Sequence, residues 1–343
     1  QQAPPRWKLC MSLTGSVFGE LLGRYFVQEA FDEESKAKSQ DLIDMIKTAF
    51  AARIPTIDWM DEETKEAALI KLNAVNDKIG YPDKWNDYAG ITVYEGAFLL
   101  SSLIGYGHAF SQNIMDAGTA VDRSVWYMDP QDVNAYYDPL MNEMAFPAAI
   151  LQPPFYHKNY PDALNFGAIG AVMGHELTHG FDDEGRQFDA HGFLHQWWTD
   201  ASVQNFEDRA QCVIDAYTNF PLDYPGNING EQTLGENLAD MGGVKDAYEA
   251  FQMVRARNPD KSLYDLVPEV FGLTNEQLFF VSYGQVWCTV MKEEQEILRL
   301  STDVHSPSKA RVDMPLTNTD YFSNAFECKK DTPMNPPTKC NVW

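Results

Sequence analysis

Only seven histidines occur in this 343-residue chain, and two of them, His175 and His179, enclose Glu176 in the order H-E-x-x-H. On an α-helix that spacing places both imidazoles on one face, one turn apart. Two ring nitrogens can then meet a single zinc ion about 2 Å from each. Glu176 follows the first histidine directly, which sets a carboxylate beside the metal position as a base for an attacking water. The flanks favour a helix: Phe166, Ile169, Ala171, Val172 and Leu177 are apolar, no proline falls between Leu164 and Phe181, and Gly180 is a natural stop. The bland alternative is a surface helix on which these three residues meet by accident. So small a supply of histidines makes that the weaker account.

Two histidines leave zinc short of one protein ligand and one open position. Glu236 and Asp240 are again four apart, at what reads as the start of a helix, Thr233-Leu234-Gly235-Glu236-Asn237-Leu238-Ala239-Asp240. Glu236 as a ligand would complete a His2Glu site, and Asp240 one turn on could accept the second N–H of a ligand histidine. Spacing alone equally allows an acidic first turn, because carboxylates favour a helix N-terminus.

Around these residues the chain reads as mainly α with a small β-sheet. Apolar periodicity predicts helices over Gly15–Phe31, Leu42–Phe50, Asp61–Gly80 and Glu95–Met115. The texture then changes. Ser124–Met128, Asp132–Tyr137 and Asn142–Phe146 read as short strands, the last two joined by the turn Asp138-Pro139-Leu140-Met141. A proline corner, Ile150 to Phe155, leads to the zinc helix. Thr199 is a candidate cap for a further helix, and Thr274 with Gln277 forms a capping box for another. Beyond Val304 the chain reads as loop-rich, with one short helix over Asp320–Cys328. Residues 1–115 are thus expected to form a helical domain or part of one, and 116–343 a mixed domain bearing the chemistry. A short sheet beside such a helix offers an edge to which an extended peptide can bond through its main chain.

The net charge of −24 argues against nucleic acid or an anionic membrane as a partner. No signal peptide and no run of eighteen apolar residues is visible. Five cysteines, Cys10, Cys212, Cys288, Cys328 and Cys340, are not spaced as C-x-x-C, so neither a zinc ribbon nor a redox motif is indicated. Their odd number and the abrupt opening tract suggest a piece of a longer protein. No N-x-S/T glycosylation site occurs.

The segments HELTHGFDDEGRQFD, GENLADMGG, VNAYYDP, FPAAILQPPF, QVWC, DVHSP and MNPPTKCNVW together resemble the neprilysin and endothelin-converting-enzyme family of zinc peptidases. The resemblance covers essentially the whole chain, in order. It implies a thermolysin-like zincin catalytic domain preceded by the later part of an all-helical lid, with the family's amino-terminal portion absent. It implies one Zn2+ per chain, ligated by His175, His179 and Glu236, with Glu176 as base and Asp240 and Asp182 as carboxylates behind the histidines. Asn134 and Ala135 would hold the substrate backbone, His305 would stabilise the oxyanion, and Arg311 would bind a substrate carbonyl. Ile150, Phe155, Val172, Val286 and Trp287 correspond to the pocket for the residue after the cut bond. Cys212 and Cys340 match an internal disulfide. Cys10, Cys288 and Cys328 match cysteines paired with the absent amino-terminal part, which implies an oxidising, extracellular or secreted setting, or the ectodomain of a membrane-anchored parent.

Ala149 stands where the family commonly has glycine, and Asp313-Met314-Pro315 replaces a glycine-containing stretch, which bears on the loop expected to present Arg311. His108, His157, His191 and His195 match no family role. The function expected is hydrolysis of oligopeptides on the amino side of bulky hydrophobic residues. The rival is a non-catalytic scaffold or binding chain of a processed two-chain complex.

Overall fold

Apolar residues recur at helical spacing over much of the chain, and the computed structural model, which describes residues 3–257 and 272–343, packs the resulting helices about one small sheet. The first half contributes α1 (Arg6–Ala30), α2 (Glu33–Arg53), α3 (Glu62–Asn73), β1 (Asn76–Gly80) and α4 (Phe98–Asp116). Next come β2 (Tyr136–Asp138), β3 (Glu143–Pro147), the short α5 (Asp162–Asn165), a π turn at Phe166–Gly170 and α6 (Ala171–His179). The remainder supplies α7 (Asp200–Thr218), α8 (Leu234–Arg257), α9 (Asn275–Val286), α10 (Glu293–Thr302), α11 (Ser308–Thr317) and α12 (Asp320–Ala325). The fold is mainly α with a small sheet, as expected.

The sheet differs from its prediction in detail. Its order is β1-β3-β2, with β1 parallel and β2 antiparallel to β3. Ser124–Met128 is not a strand, and of Asp132–Tyr137 only its end, with Asp138, pairs. β1 lies where α3 was expected to continue to Gly80. Its opening residues, Asn-Asp-Lys, carry no strand pattern of their own. A neighbour holds them: Lys78 reaches the buried Glu143 of β3 at 2.6 Å. Strand identity here is a property of the partner rather than of the segment.

Two predicted helix starts cap each other. Asp61 accepts from the Thr64 amide at 2.9 Å and from the Thr199 hydroxyl, while Thr199 accepts from the Ser202 amide at 3.2 Å. In return the Asp61 amide donates to Ser202 Oγ at 3.1 Å. This ties α3 to α7 across a long sequence separation. Asp61→Ala should therefore lower stability by about 1–2 kcal/mol in urea unfolding at neutral pH. Hydrogen bonds from Thr199 and the Thr64 amide hold the Asp61 carboxyl below its usual value. A depressed carboxyl contributes fully above its unfolded value, about pH 4, and loses that contribution as pH falls through the lower folded one. The gap between variant and parent should shrink accordingly in acid.

One hydrophobic cluster runs from Phe31 to Trp343, and α2, α3 and β1 belong to it together with α6 and α8. Near its centre the Trp343 ring meets Phe50, Trp59, Phe181 and Phe206. By contrast α1 and α4 pack chiefly on one another, and α4 leaves Leu99, Leu103, Phe110 and Ile114 exposed.

Candidate metal centre and substrate cleft

The close crossing of α6 and α8 builds the site. Glycines make the approach possible: a Cβ on Gly174 would lie 2.8 Å from Gly243 Cα, and one on Gly243 would lie 2.5 Å from the Ala171 carbonyl. With no side chains between the backbones, the first turn of α8 comes level with the last turns of α6. His175, His179 and Glu236, expected as a set, accordingly meet, with ligand atoms all within 4.8 Å of one another. The two histidine Nε2 atoms are 3.0 Å apart. Glu236 Oε2 lies 3.2 Å from His175 Nε2, and Oε1 lies 3.7 Å from His179 Nε2.

Each histidine is oriented from behind. His175 Nδ1 donates to Asp240 Oδ1 at 2.8 Å, and His179 Nδ1 donates to Asp182 Oδ2 at 2.7 Å. That leaves two imidazole lone pairs and a carboxylate facing one point, a donor set suited to zinc. Glu236 Oε2 is buried and in hydrogen-bond geometry with no group. Such an orphaned acceptor among converging lone pairs fits a cation. Burial opposes charge on His175, but its hydrogen bond to Asp240 and the nearby Glu236 carboxylate outweigh it and raise the imidazole to about 10. Burial likewise opposes the Glu236 anion, yet His175, His179 and His305 hold its carboxyl well below the usual range.

Asp240 does more than orient His175. Its carboxylate receives a two-pronged grip from Arg311, Nε to Oδ2 at 2.7 Å and Nη2 to Oδ1 at 2.8 Å. Arg311 in turn stacks over Trp287, 4.0 Å from its ring centroid. The expectation that a loop presents Arg311 is corrected: it sits on α11. Pro315 lies inside that helix, which is why the stretch reads as loop in sequence. A proline has no N–H for the carbonyl four residues back. That carbonyl belongs to Arg311, and the Tyr283 hydroxyl donates to it at 2.6 Å.

His305 does lie in a loop, between α10 and α11, with Nε2 3.2 Å from Glu236 Oε2. Two contacts that the sequence analysis missed hold it there. Asp303 Oδ1 accepts from the His305 amide at 2.9 Å and pairs with its Nδ1 at 2.8 Å. Ser306 Oγ donates to Asn237 Oδ1 at 2.7 Å, fastening the loop beside Glu236. The Asp-Val-His spacing was a signal that could have pointed to Asp303.

These groups open onto a cleft of about 520 Å³. Glu176 lines it, and burial raises its carboxyl above the usual value against the pull of His175 and His179. Ile150, Phe155, Val172, Val286 and Trp287 line the cleft as well. Asn134 and Ala135 also line the cleft, just before β2 and past its last pair, Tyr136 with Ala145, on the free edge of the sheet. None of His108, His157, His191 and His195 lines it. Cys212 and Cys340 form a disulfide, while Cys10, Cys288 and Cys328 are free. Among the described residues no helix is long and apolar enough to cross a membrane.

Comparison with known proteins agrees with this geometry. Two family models, both described as peptidase family M13, match residues 134–342 and 1–82. Human endothelin-converting enzyme 1 is 43% identical over 350 residues, 99% of this chain and 44% of that protein. A Locusta migratoria protein described as an endothelin-converting enzyme homolog is 41% identical over 344 residues, 98% of this chain and 47% of its own length. The crystal structure of a Mycobacterium tuberculosis zinc metalloprotease in complex with an inhibitor superposes with a TM-score of 0.92 at 37% identity, over 100% of this chain and 52% of that one. The chain belongs to peptidase family M13, and it spans about half the length of the curated relatives it matches.

Proposed function

We propose that the chain carries the catalytic centre of a zinc-dependent endopeptidase that cuts oligopeptides on the amino side of bulky hydrophobic residues. The observation that carries this is the convergence of His175, His179 and Glu236 on one point, with Glu176 lining the same half-apolar cleft. Zinc bound there would acidify a water molecule and polarise a peptide carbonyl. Glu176 accepts the proton of the attacking water and returns it to the departing amine. His305, its Nδ1–H engaged by Asp303, offers a second N–H at Nε2 to the developing oxyanion when the ring carries both protons. Asn134 and Ala135 bond the substrate main chain at the sheet edge. Arg311 bonds a substrate carbonyl through Nη1, which its grip on Asp240 leaves uncommitted. Ile150, Phe155, Val172, Val286 and Trp287 receive the side chain after the cut bond, burial of which favours large apolar groups.

The same reading keeps residues 1–115 as the lid portion, in which the exposed apolar faces of α1 and α4 would meet the amino-terminal part of the family fold. Cys10, Cys288 and Cys328 would link to that part, in an extracellular or secreted setting or in the ectodomain of an anchored parent. The internal disulfide suits such an oxidising setting. Zinc analysis and a quenched peptide with Phe or Leu after the scissile bond test the reading together. We expect about one zinc per chain and cleavage lost on chelation and regained with zinc. A chain that binds zinc but cleaves no peptide, even joined to its amino-terminal part, favours the non-catalytic alternative.

A further inference from the structure

We propose that Lys71 is a positioning residue for the metal centre: its side chain, closed in by carbonyls of the loop after α6, holds Asp182 where it orients His179. Lys71 lies on α3, more than a hundred residues from that loop, and is 1% exposed. Its Nζ donates to the carbonyls of Gly180 at 2.5 Å, Gly185 at 2.7 Å and Phe188 at 2.7 Å. An ammonium has three N–H groups, and here each has one backbone acceptor. Among the described residues no carboxylate comes within ion-pair range of it. The rings of Phe181, Trp197 and Tyr137 stand 5.4, 5.6 and 5.9 Å from the nitrogen. Burial lowers the Lys71 ammonium to about 7, with Asp182 and Asp189 opposing the shift. Three acceptors for three N–H groups make the charged form the one this pocket is built for.

The loop explains why a cation is needed at that spot. Asp182 Oδ1 accepts from the amides of Glu184 at 2.9 Å and Gly185 at 2.7 Å, while Oδ2 holds His179. The chain thus wraps around Asp182 with amides turned inward, and this turns the carbonyls of Gly180, Gly185 and Phe188 outward to one point. The Gly185 carbonyl also accepts from the Phe188 amide at 3.0 Å and the Phe188 carbonyl from Trp197 Nε1 at 3.0 Å, so Lys71 gives Gly180 its donor and the other two a second one. Three buried carbonyl oxygens converging without a donor between them would be costly. The Lys71 carbonyl also accepts from Asn142 Nδ2 at 3.2 Å, and Asn142 Oδ1 accepts from the Tyr137 hydroxyl of the edge strand at 2.7 Å. A lysine on α3 thereby ties the loop behind His179 to the strand beside the cleft.

The inference rests on the reading that His175, His179 and Glu236 hold zinc, and the test separates the two. The full chain, stripped of metal, is titrated with Zn2+ against a chromogenic chelator, alongside Lys71→Met, Asp182→Asn and the double variant. Folding is checked by circular dichroism and by the urea midpoint. We expect Lys71→Met to bind zinc about 10- to 100-fold more weakly, the range typical of lost partners behind a metal ligand. It should add little to Asp182→Asn, because both act through one contact. A purely structural lysine would shift the urea midpoint and leave the zinc affinity of the folded chain unchanged, and that result overturns the proposal. Additive losses overturn the route through Asp182. If the parent chain itself binds no zinc, the metal-centre reading falls with it. Should Lys71→Met fail to fold, Lys71→Gln, which keeps an amide donor, is read in the same way.

Discussion

Glu176→Gln should reduce turnover of a peptide substrate by about a thousand-fold, within the range for loss of a positioned general base. Glutamine matches glutamate in size but cannot accept the proton of an attacking water or hand it to the leaving amine. Glu176 is nearly buried and lines the cleft, and burial lifts its carboxyl above the usual value. That shift strengthens it as a base and brings it nearer neutrality, which favours transfer in both directions. The residue contributes no ligand atom to the His175, His179 and Glu236 cluster. Zinc content and thermal unfolding should therefore match the parent chain, and the loss should fall on kcat rather than KM. Equal turnover by the variant would refute the assigned base. Loss of zinc would show instead that Glu176 supports the metal.

Asp240→Ala is expected to have the largest effect on stability, about 3–5 kcal/mol, the usual cost of breaking a buried ion pair from one side. Asp240 accepts from His175 and is gripped at two points by Arg311, and both Asp240 and Arg311 are buried. Removing the carboxylate strands a guanidinium that cannot lose its proton. Zinc affinity should fall at the same time, by about 10- to 100-fold, since His175 loses the partner that fixes its tautomer. A second change separates these effects. Arg311→Met placed on Asp240→Ala removes the stranded charge, so most of the stability should return while zinc affinity stays low. Chemical denaturation of the metal-free chain reads the first quantity, and chelator competition reads the second. Recovery of both together would mean that Asp240 serves the metal only through overall folding.

Features that depend on neighbours along the chain were legible in the sequence. The i, i+4 pairing of His175 and His179 with Glu176 between them is such a feature. So are the caps at Asp61 and Thr199 and the reciprocal box of Thr274 with Gln277, all of which form as expected. Backbone geometry at these sites is set within about one helical turn, and side-chain type alone discloses it. Family resemblance extended this to Glu236, His305 and Arg311, where spacing had left alternatives open.

Errors arose where distant contacts override local preference. β1 is a strand because β3 lies beside it, and α11 tolerates Pro315 because Tyr283 takes the carbonyl that the proline leaves free. Nothing near Glu236 in the chain distinguishes a zinc ligand from an acidic first helical turn. What the chain leaves open is narrowed by Gly174 and Gly243, whose missing side chains let α6 and α8 approach until the three candidate ligand groups share one point. Lys71 and Asp61 act across more than a hundred residues. One sequence therefore names which side chains can do chemistry, through short-range geometry. Only close packing of remote segments determines which of them meet, because that depends on the sizes of groups the local pattern does not see.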